Sequence, residues 1–323
     1  MTLHIHAVND PDLDAGQFHV SEDQLRAACP PELAGAVTFS AGGTDEVDAA
    51  AGADVLIGWT FPGSVLERTP DVSWLHVIGA GVDHLDPLDW VPDGARLTNS
   101  SGVHAAKAAE FAAAGLLMLN SKMLLHLEEQ RAHRWTPRYS TVIGGKTVLI
   151  VGVGTIGGAV ARRARELGLI VRGIRRSGAE HPDVEMMFRT DELVEAIEGV
   201  DFVVVCAALT PDTRGLIDAD ALALLPEHAG LINVAREPIV DYGALAEALR
   251  AGRLGGAILD VFEPEPLDPE SALWDCPRLL VTPHISSDPL DYTAAMLEIF
   301  MDNFARFVAQ EPLRNEIALP GRP

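Results

Sequence analysis

From Lys146 to Ile285 the chain keeps returning to one local pattern: a short run of Val, Ile and Leu, a turn, then a helical stretch. The runs are "KTVLIVG", "LIVRGI", "DFVVVCA", "AGLINVA", "GGAILDVF" and "RLLVTPHI", and helices are predicted from Ile156, near Glu192, near Ala219 and from Tyr242. Strands apolar throughout, instead of at alternate residues, are buried on both faces, and strands separated by helices are joined by crossovers into a parallel sheet. A shorter series of the same kind opens the chain, with "HIHAV", "AVTF", "DVLIGW", "WLHVIG" and "ARLTN" as strands and "SEDQLRAAC" as a helix capped at its serine.

Two such series in 323 residues exceed what one core usually serves, so two α/β domains are expected. Between them, Val103 to about His133 reads as one long alanine-rich helix, apolar on most faces, which needs another domain or subunit against it. The Pro and Gly residues of "WTPRYSTVIGGK" stop it. The last segment, "DYTAAMLEIFMDNFARFVAQ", is an amphipathic helix that comes too late to cross between strands and is expected to return to the first domain.

A net charge of -23 opposes nucleic acid or an anionic membrane as partner, and an anionic substrate would need a locally positive pocket. Only three lysines accompany the many acids, which fits either adaptation to salt or an acidic, arginine-preferring composition. Cys29, Cys206 and Cys276 lack the number and spacing of a disulfide framework or a zinc site and are expected to be buried, reduced thiols. No histidine spacing suggests a metal centre. "MTLHIHAVND" lacks a signal-peptide pattern and "FAAAGLLML" is too short to span a bilayer, so a cytoplasmic location is expected.

Gly152, Gly154 and Gly157 form G-x-G-x-x-G between the strand "TVLIV" and the helix that follows. The first glycine permits a tight turn, the second lets backbone approach a pyrophosphate, and the third lets helix and strand pack closely, with the helix N-terminus facing the anion. The next strand runs into Arg175, Arg176 and Ser177, where an NAD site would carry an acid for the ribose hydroxyls. Two arginines and a serine suit a 2′-phosphate instead, so NADP(H) is expected over NAD(H), and carbonyl reduction over alcohol oxidation. The alternative is that one arginine stacks on adenine while the other faces solvent.

"INVAREPIVD", "LDVFEPEPL" and "VTPHIS" each follow a predicted strand of the second series, so Arg236, Glu265 and His284 would converge if those strands are parallel neighbours. Hydride transfer to a carbonyl needs a proton donor, a cation to hold and polarise the substrate, and a cofactor over the carbon. An imidazole titrates near working pH and a carboxylate beside it favours its protonated form, which makes His284 the candidate acid and Glu265 its partner. Arg236 can bridge the carboxylate and carbonyl of a 2-oxo acid. Taken singly, each residue also has a bland reading as a loop cap, a solvated acid or a surface ion-pair partner.

In this order, "VGVGTIGGAV", "INVAREPIVDYGALAEAL", "GGAILDVFEPEPL" and "LLVTPHISS" resemble the D-isomer-specific 2-hydroxyacid dehydrogenase family, and the similarity extends to "VIGAGVDHLD" and "TNSSGVHAAKAAEFAAAGLLML". The resemblance implies two Rossmann-like or flavodoxin-like parallel-sheet domains with a cleft between them: a discontinuous substrate domain (1–99 plus 288–323) and a dinucleotide domain (100–287), dimerising through the latter. It puts the family's Arg, Glu and His on Arg236, Glu265 and His284, its carboxylate-binding amides on Gly79, Ala80, Gly81 and Val82, and its nicotinamide-amide acceptor on Asp260. Thr155, Ile156, Ala207, Thr213 and Val234 complete the expected cofactor contacts. Trp135 matches a tryptophan that reaches a partner subunit's substrate site in the glyoxylate and hydroxypyruvate reductase branch, or is a structural residue of the subunit contact. Trp59 and Phe61 are either an apolar wall of the substrate pocket or domain core. Glu237 departs from the family's usual glycine and either points outward or narrows substrate choice. The implied activity is reduction of a small 2-oxo acid to the D-2-hydroxy acid in a homodimer; an NAD-dependent biosynthetic dehydrogenase and a dinucleotide-sensing scaffold stay open as alternatives.

Overall fold

A computed structural model of the chain describes residues 2–11, 13, 18–287 and 292–320. The chain divides into two units, Met1–Val103 with Pro289–Pro323, and His104–Asp288, each built on its own parallel sheet. The first crossing lies beyond Asn99 because the next residues still bond within the first unit: Ser100 N–H donates to the Gly79 carbonyl at 3.0 Å and Val103 N–H to that of Ser100 at 3.1 Å. The second crossing, at Asp288 and Pro289, lies outside the described residues.

In the first unit β1 (Leu3–Asn9), β2 (Val37–Gly43), β3 (Val55–Gly58), β4 (Trp74–Val77) and β5 (Arg96–Asn99) pair in the order β2-β1-β3-β4-β5, all parallel, as in flavodoxin-like sheets. Helix α1 (Glu22–Ala28) begins at the expected serine: the Ser21 hydroxyl accepts the Gln24 N–H while the Gln24 side chain accepts the Ser21 N–H. A single turn, α2 (Gly63–Leu66), follows β3.

The second unit starts with α3 (Ala105–Asn120) and α4 (Met123–Arg131). It continues through β6 (Thr147–Val151), α5 (Thr155–Glu166), β7 (Ile170–Ile174), β8 (Met186–Phe188), α6 (Leu193–Ile197) and β9 (Phe202–Val205). It ends with α7 (Ala219–Ala223), β10 (Gly230–Asn233), α8 (Tyr242–Arg250), β11 (Gly256–Leu259) and β12 (Leu279–Val281). The sheet order is β12-β11-β10-β9-β6-β7-β8, all parallel, so the strand order reverses between β6 and β9, where a doubly wound sheet opens a crevice. Leu149 and Val151 of β6 enter the core layer under α7 and α8, whereas Val148 and Ile150 enter the opposite layer under α3 and α5, as strands buried on both faces require.

One expectation needs correction. The stretch from Val103 to His133 is two helices, not one, meeting at 65° where Lys122 adopts a left-handed φ of 55°. Across the bend Leu119 lies on Gly230 and Gly256 and Leu124 on Gly256, the small residues that open β10 and β11. One face of α3 is covered inside its own unit, where Ala109, Ala112 and Leu116 are buried on the sheet and a side chain at Gly115 would come within 2.8 Å of Ile232, while Leu117 on another face stays exposed. The short edge strand β8 escaped sequence reading, since three residues between Glu185 and Arg189 carry no usable periodicity.

Helix α9 (Tyr292–Val308) belongs to the first unit, where Met296, Leu297, Phe300 and Phe304 are buried and the Trp74 and Phe300 rings stack at 4.9 Å. Among the described residues no single helix is long and apolar enough to cross a membrane; the bent pair α3 and α4 passes by length and composition together.

Candidate active site

The glycine loop lies at the point where the strand order of the second unit reverses. Its three glycines do three different things. Gly152 has a φ of 96°, and a side chain there would strike the Ala207 backbone at 2.4 Å, so the loop after β9 can close over it. A side chain at Gly157 would meet the Gly152 carbonyl at 2.1 Å, which is why the first turn of α5 can sit against the loop. A side chain at Gly154 would meet no protein atom within 4 Å, so its absence leaves open space rather than serving packing. That space belongs to a groove of about 400 Å³ lined by Gly152, Gly154, Arg175, Arg176, Ser177, Thr190, Cys206, Ala207, Asp212 and Thr213. The first amides of α5 lack intrahelical partners and receive no side-chain cap, so this helix start is open to an anion and the loop fits a dinucleotide pyrophosphate.

Arg175 is half-buried at the end of β7, its amide donating to the Phe188 carbonyl at 3.1 Å, while Arg176 and Ser177 are exposed beside it. Among the described residues neither guanidinium is paired with a carboxylate. Arg189, Thr190 and Asp191, on the turn after β8, border the same corner. Sequence reading missed them because β8 itself was not recognised. Thr155 and Ile156 open α5, exposed and half-buried, and Ala207 and Thr213 line the groove; the Thr213 hydroxyl donates to the Ala208 carbonyl at 2.8 Å. Val234 instead is buried in the layer beneath the sheet. Cys206 also departs from expectation, being half-buried on the groove wall; burial of its sulfur pushes the thiol up to about 12, so no thiolate nucleophile forms there at neutral pH.

Arg236, Glu265 and His284 follow β10, β11 and β12, which are parallel neighbours. Glu265 and His284 are in direct contact, Nδ1 to Oε2 at 2.8 Å, with side chains 38% (His) and 37% (Glu) exposed. A carboxylate only accepts, so Nδ1 carries the proton, and Nε2 has no partner among the described residues. The other Glu265 oxygen accepts the Phe262 N–H at 2.8 Å, which fixes the carboxylate plane. Arg236 is exposed one strand away, one of its N–H groups donating to the Ala235 carbonyl at 2.7 Å.

A buried scaffold aligns these three; sequence reading missed its Asn233 and Tyr242, and assigned its Asp260 to the nicotinamide amide. The Asn233 amide donates to the Arg236 carbonyl at 3.1 Å and to the Tyr242 hydroxyl at 2.9 Å, and Tyr242 donates to the Val261 carbonyl at 2.9 Å. Asp260 is fully buried. Its carboxylate accepts the Thr282 hydroxyl at 2.5 Å, the Ile285 N–H at 2.9 Å and the Ser286 N–H at 2.8 Å, and so wraps the loop that carries His284. His284 itself has a φ of 52°, and its amide donates to the Asp260 carbonyl at 2.9 Å. The Ser286 hydroxyl beside this carboxylate is buried without a partner, a polar atom that a bound group could satisfy.

In the first unit, Gly79, Ala80, Gly81 and Val82 follow β4. The Gly79 and Ala80 carbonyls are tied back by Ser100 N–H at 3.0 Å and by the Asn99 side chain at 2.6 Å, while the amides of Ala80, Gly81 and Val82 donate to none of the described residues. Free amides in sequence make an anion-binding concavity. Trp59 packs flat on this loop: a side chain at Gly79 would strike its ring at 2.4 Å, and His84 stacks on it at 3.9 Å. Phe61, by contrast, is core, buried against Trp90.

Trp135 is 96% exposed on the segment after α4, with Tyr139 and Val142 nearly as open. The segment's course is set by Glu129, whose carboxylate takes Arg134 at 2.6 Å and Arg138 at 3.6 Å. Among the described residues no group of His, Cys, Asp and Glu could hold a metal ion.

The NAD binding domain of the D-isomer specific 2-hydroxyacid dehydrogenases, as a family pattern, matches residues 113–286. The chain is 32% identical to a glyoxylate reductase of Thermococcus kodakarensis over 75% of each chain. It is 34% identical to an (S)-sulfolactate dehydrogenase of Chromohalobacter salexigens, over 75% of this chain and 79% of that one. Among solved structures, a D-isomer specific 2-hydroxyacid dehydrogenase of Xanthobacter autotrophicus in complex with NADPH and MES is similar at a TM-score of 0.80 and 32% identity, covering 97% of this chain and 98% of that one.

Proposed function

Because the chain belongs to the D-isomer specific 2-hydroxyacid dehydrogenase family, we propose that it reduces small 2-oxo acids to D-2-hydroxy acids and prefers NADPH. The Glu265–His284 pair, 2.8 Å across and one strand from Arg236, carries this reading. Glu265 holds the imidazole by Nδ1–H, leaving Nε2 of the imidazolium form to protonate the substrate's carbonyl oxygen. The Arg236 guanidinium, with N–H groups left over after its bond to Ala235, binds the substrate carboxylate and polarises the neighbouring carbonyl. A nicotinamide dinucleotide, when bound at the glycine loop, supplies the hydride. The buried, unpartnered Ser286 hydroxyl suits its amide end.

Arg175, Arg176 and Ser177 support the cofactor choice, since two unpaired guanidiniums at the groove favour a 2′-phosphate and no acid ends β7; the NADPH bound by the Xanthobacter relative agrees with it. The free amides of Ala80, Gly81 and Val82 suit a carboxylate, and relatives named for glyoxylate and (S)-sulfolactate support a short substrate. The exposed Trp135, Tyr139 and Val142 fit burial against a second copy, which makes a homodimer the assembly to look for.

The test is initial-rate reduction of glyoxylate, hydroxypyruvate, pyruvate, 2-oxoisocaproate and phenylpyruvate with NADPH and NADH separately. Turnover of the short acids, faster with NADPH, is expected. A preference for NADH overturns the cofactor assignment, and no turnover of any acid overturns the reaction.

A further inference from the structure

Glu237 follows Arg236 directly and has no part in the chemistry above. Its backbone sits on an anchored turn: Val240 N–H donates to the Glu237 carbonyl at 2.9 Å, Gly215 N–H to that of Pro238 at 2.7 Å and Ile217 N–H to that of Ile239 at 3.0 Å. From this turn the Glu237 side chain spans to the loop after β11, where Oε2 accepts the Glu263 N–H at 2.5 Å. Two residues further along that loop, Glu265 divides its oxygens between Phe262 N–H and His284. One side chain therefore ties the turn that presents Arg236 to the turn that presents Glu265.

The surroundings are unfavourable to another carboxylate. Glu263 and Glu265 face Glu237 from the loop after β11, with the Tyr242 hydroxyl from the start of α8 and the Asp260 carboxylate at the end of β11 in the same cluster. Arg236 is the neighbouring cation in the chain. Burial first, then the charges of Glu263 and Glu265, push the Glu237 carboxyl above the usual range, while the Glu263 amide works the other way by stabilising the ionised form. A solvated surface acid would not make this short bond to the loop.

We propose that Glu237 is a positioning residue, whose acceptor oxygen clamps the Glu263 amide and so holds Glu265 in register with His284. The proposal rests on the reductase reading for its kinetic consequence and on geometry alone for the clamp. The obvious test is E237A beside E237Q, because glutamine keeps an acceptor oxygen at the same reach without the charge. E237A should lower kcat about tenfold, the scale of a slightly misplaced catalytic group, with NADPH affinity unchanged, while E237Q should stay within about twofold of the wild type.

Selective 15N-glutamate labelling reads the clamp without turnover: the Glu263 amide proton should move upfield in E237A and much less in E237Q. In the wild type the same signal should titrate above the usual carboxylate range, following Glu237. An unmoved Glu263 amide in E237A, an undiminished kcat, or an E237Q as slow as E237A each overturns the proposal. If the wild type reduces no 2-oxo acid, the reductase reading fails by itself, and the amide signal still decides whether the clamp exists.

Discussion

Two histidines near the carboxyl ends of parallel strands show how differently the two units use the same side chain. His76, on β4 of the first unit, is fully buried, its Nδ1 and Nε2 both engaged, by Thr98 at 2.7 Å and Ser100 at 3.0 Å. Burial pushes its imidazole down to about 3, so it stays neutral and serves as a polar strut between β4 and β5. His284, beyond β12 of the second unit, is partly exposed, has a carboxylate on one nitrogen and leaves the other open. Residue type alone therefore says little about chemistry. A charged partner on one side and an unused nitrogen on the other separate an acid from a brace.

The sharpest way to break this comparison is H284A. Loss of the proposed proton donor should reduce kcat by a factor on the order of 10²–10⁴ while NADPH binding, read by fluorescence titration, is kept. A parallel loss of cofactor binding would return His284 to the same class as His76. Next in size is the double replacement R175A/R176A. Removing charge-assisted bonds to a phosphate should weaken NADPH about 10- to 100-fold and leave NADH nearly unchanged, which steady-state KM values for the two cofactors would reveal. Equal weakening would mean that the pair only stacks on the adenine.

The smallest effect concerns His76. Its folded-state titration is depressed, so the neutral form's contribution is complete above the unfolded value of about 6.5 and is lost as pH falls toward the folded one. Thermal unfolding followed between those limits should show the wild type losing stability faster than H76Q. His6, pushed down to about 4 mainly by burial, leaves part of the slope in both proteins. Identical slopes would show that the folded His76 imidazole takes up its proton as readily as in the unfolded chain.

Much of the second unit was legible because its signals are local. The apolar runs of β6, β9, β10 and β11, the strand-to-helix glycines and the three motifs after β10, β11 and β12 each lie within a few residues of chain. What escaped depends on distant neighbours. The two helices that meet at Lys122 set Leu119 and Leu124 on glycines more than a hundred residues away, and Phe61 became core once Trp90 covered it. Asn233 and Tyr242 carry no local signal, and only the fold places them between the turns that present Arg236 and Glu265.

The amino-acid sequence by itself determined the alternation of strands and helices, hence two parallel sheets, and the chemical types available at their carboxyl ends, because periodicity, glycine and side-chain chemistry act over a few residues. Only tertiary structure decided which of those groups meet. Asp260 spends its carboxylate on the His284 loop, Glu237 reaches the Glu263 amide, and Glu265 takes His284, and all three bonds join segments brought together by strand order rather than by nearness in the chain.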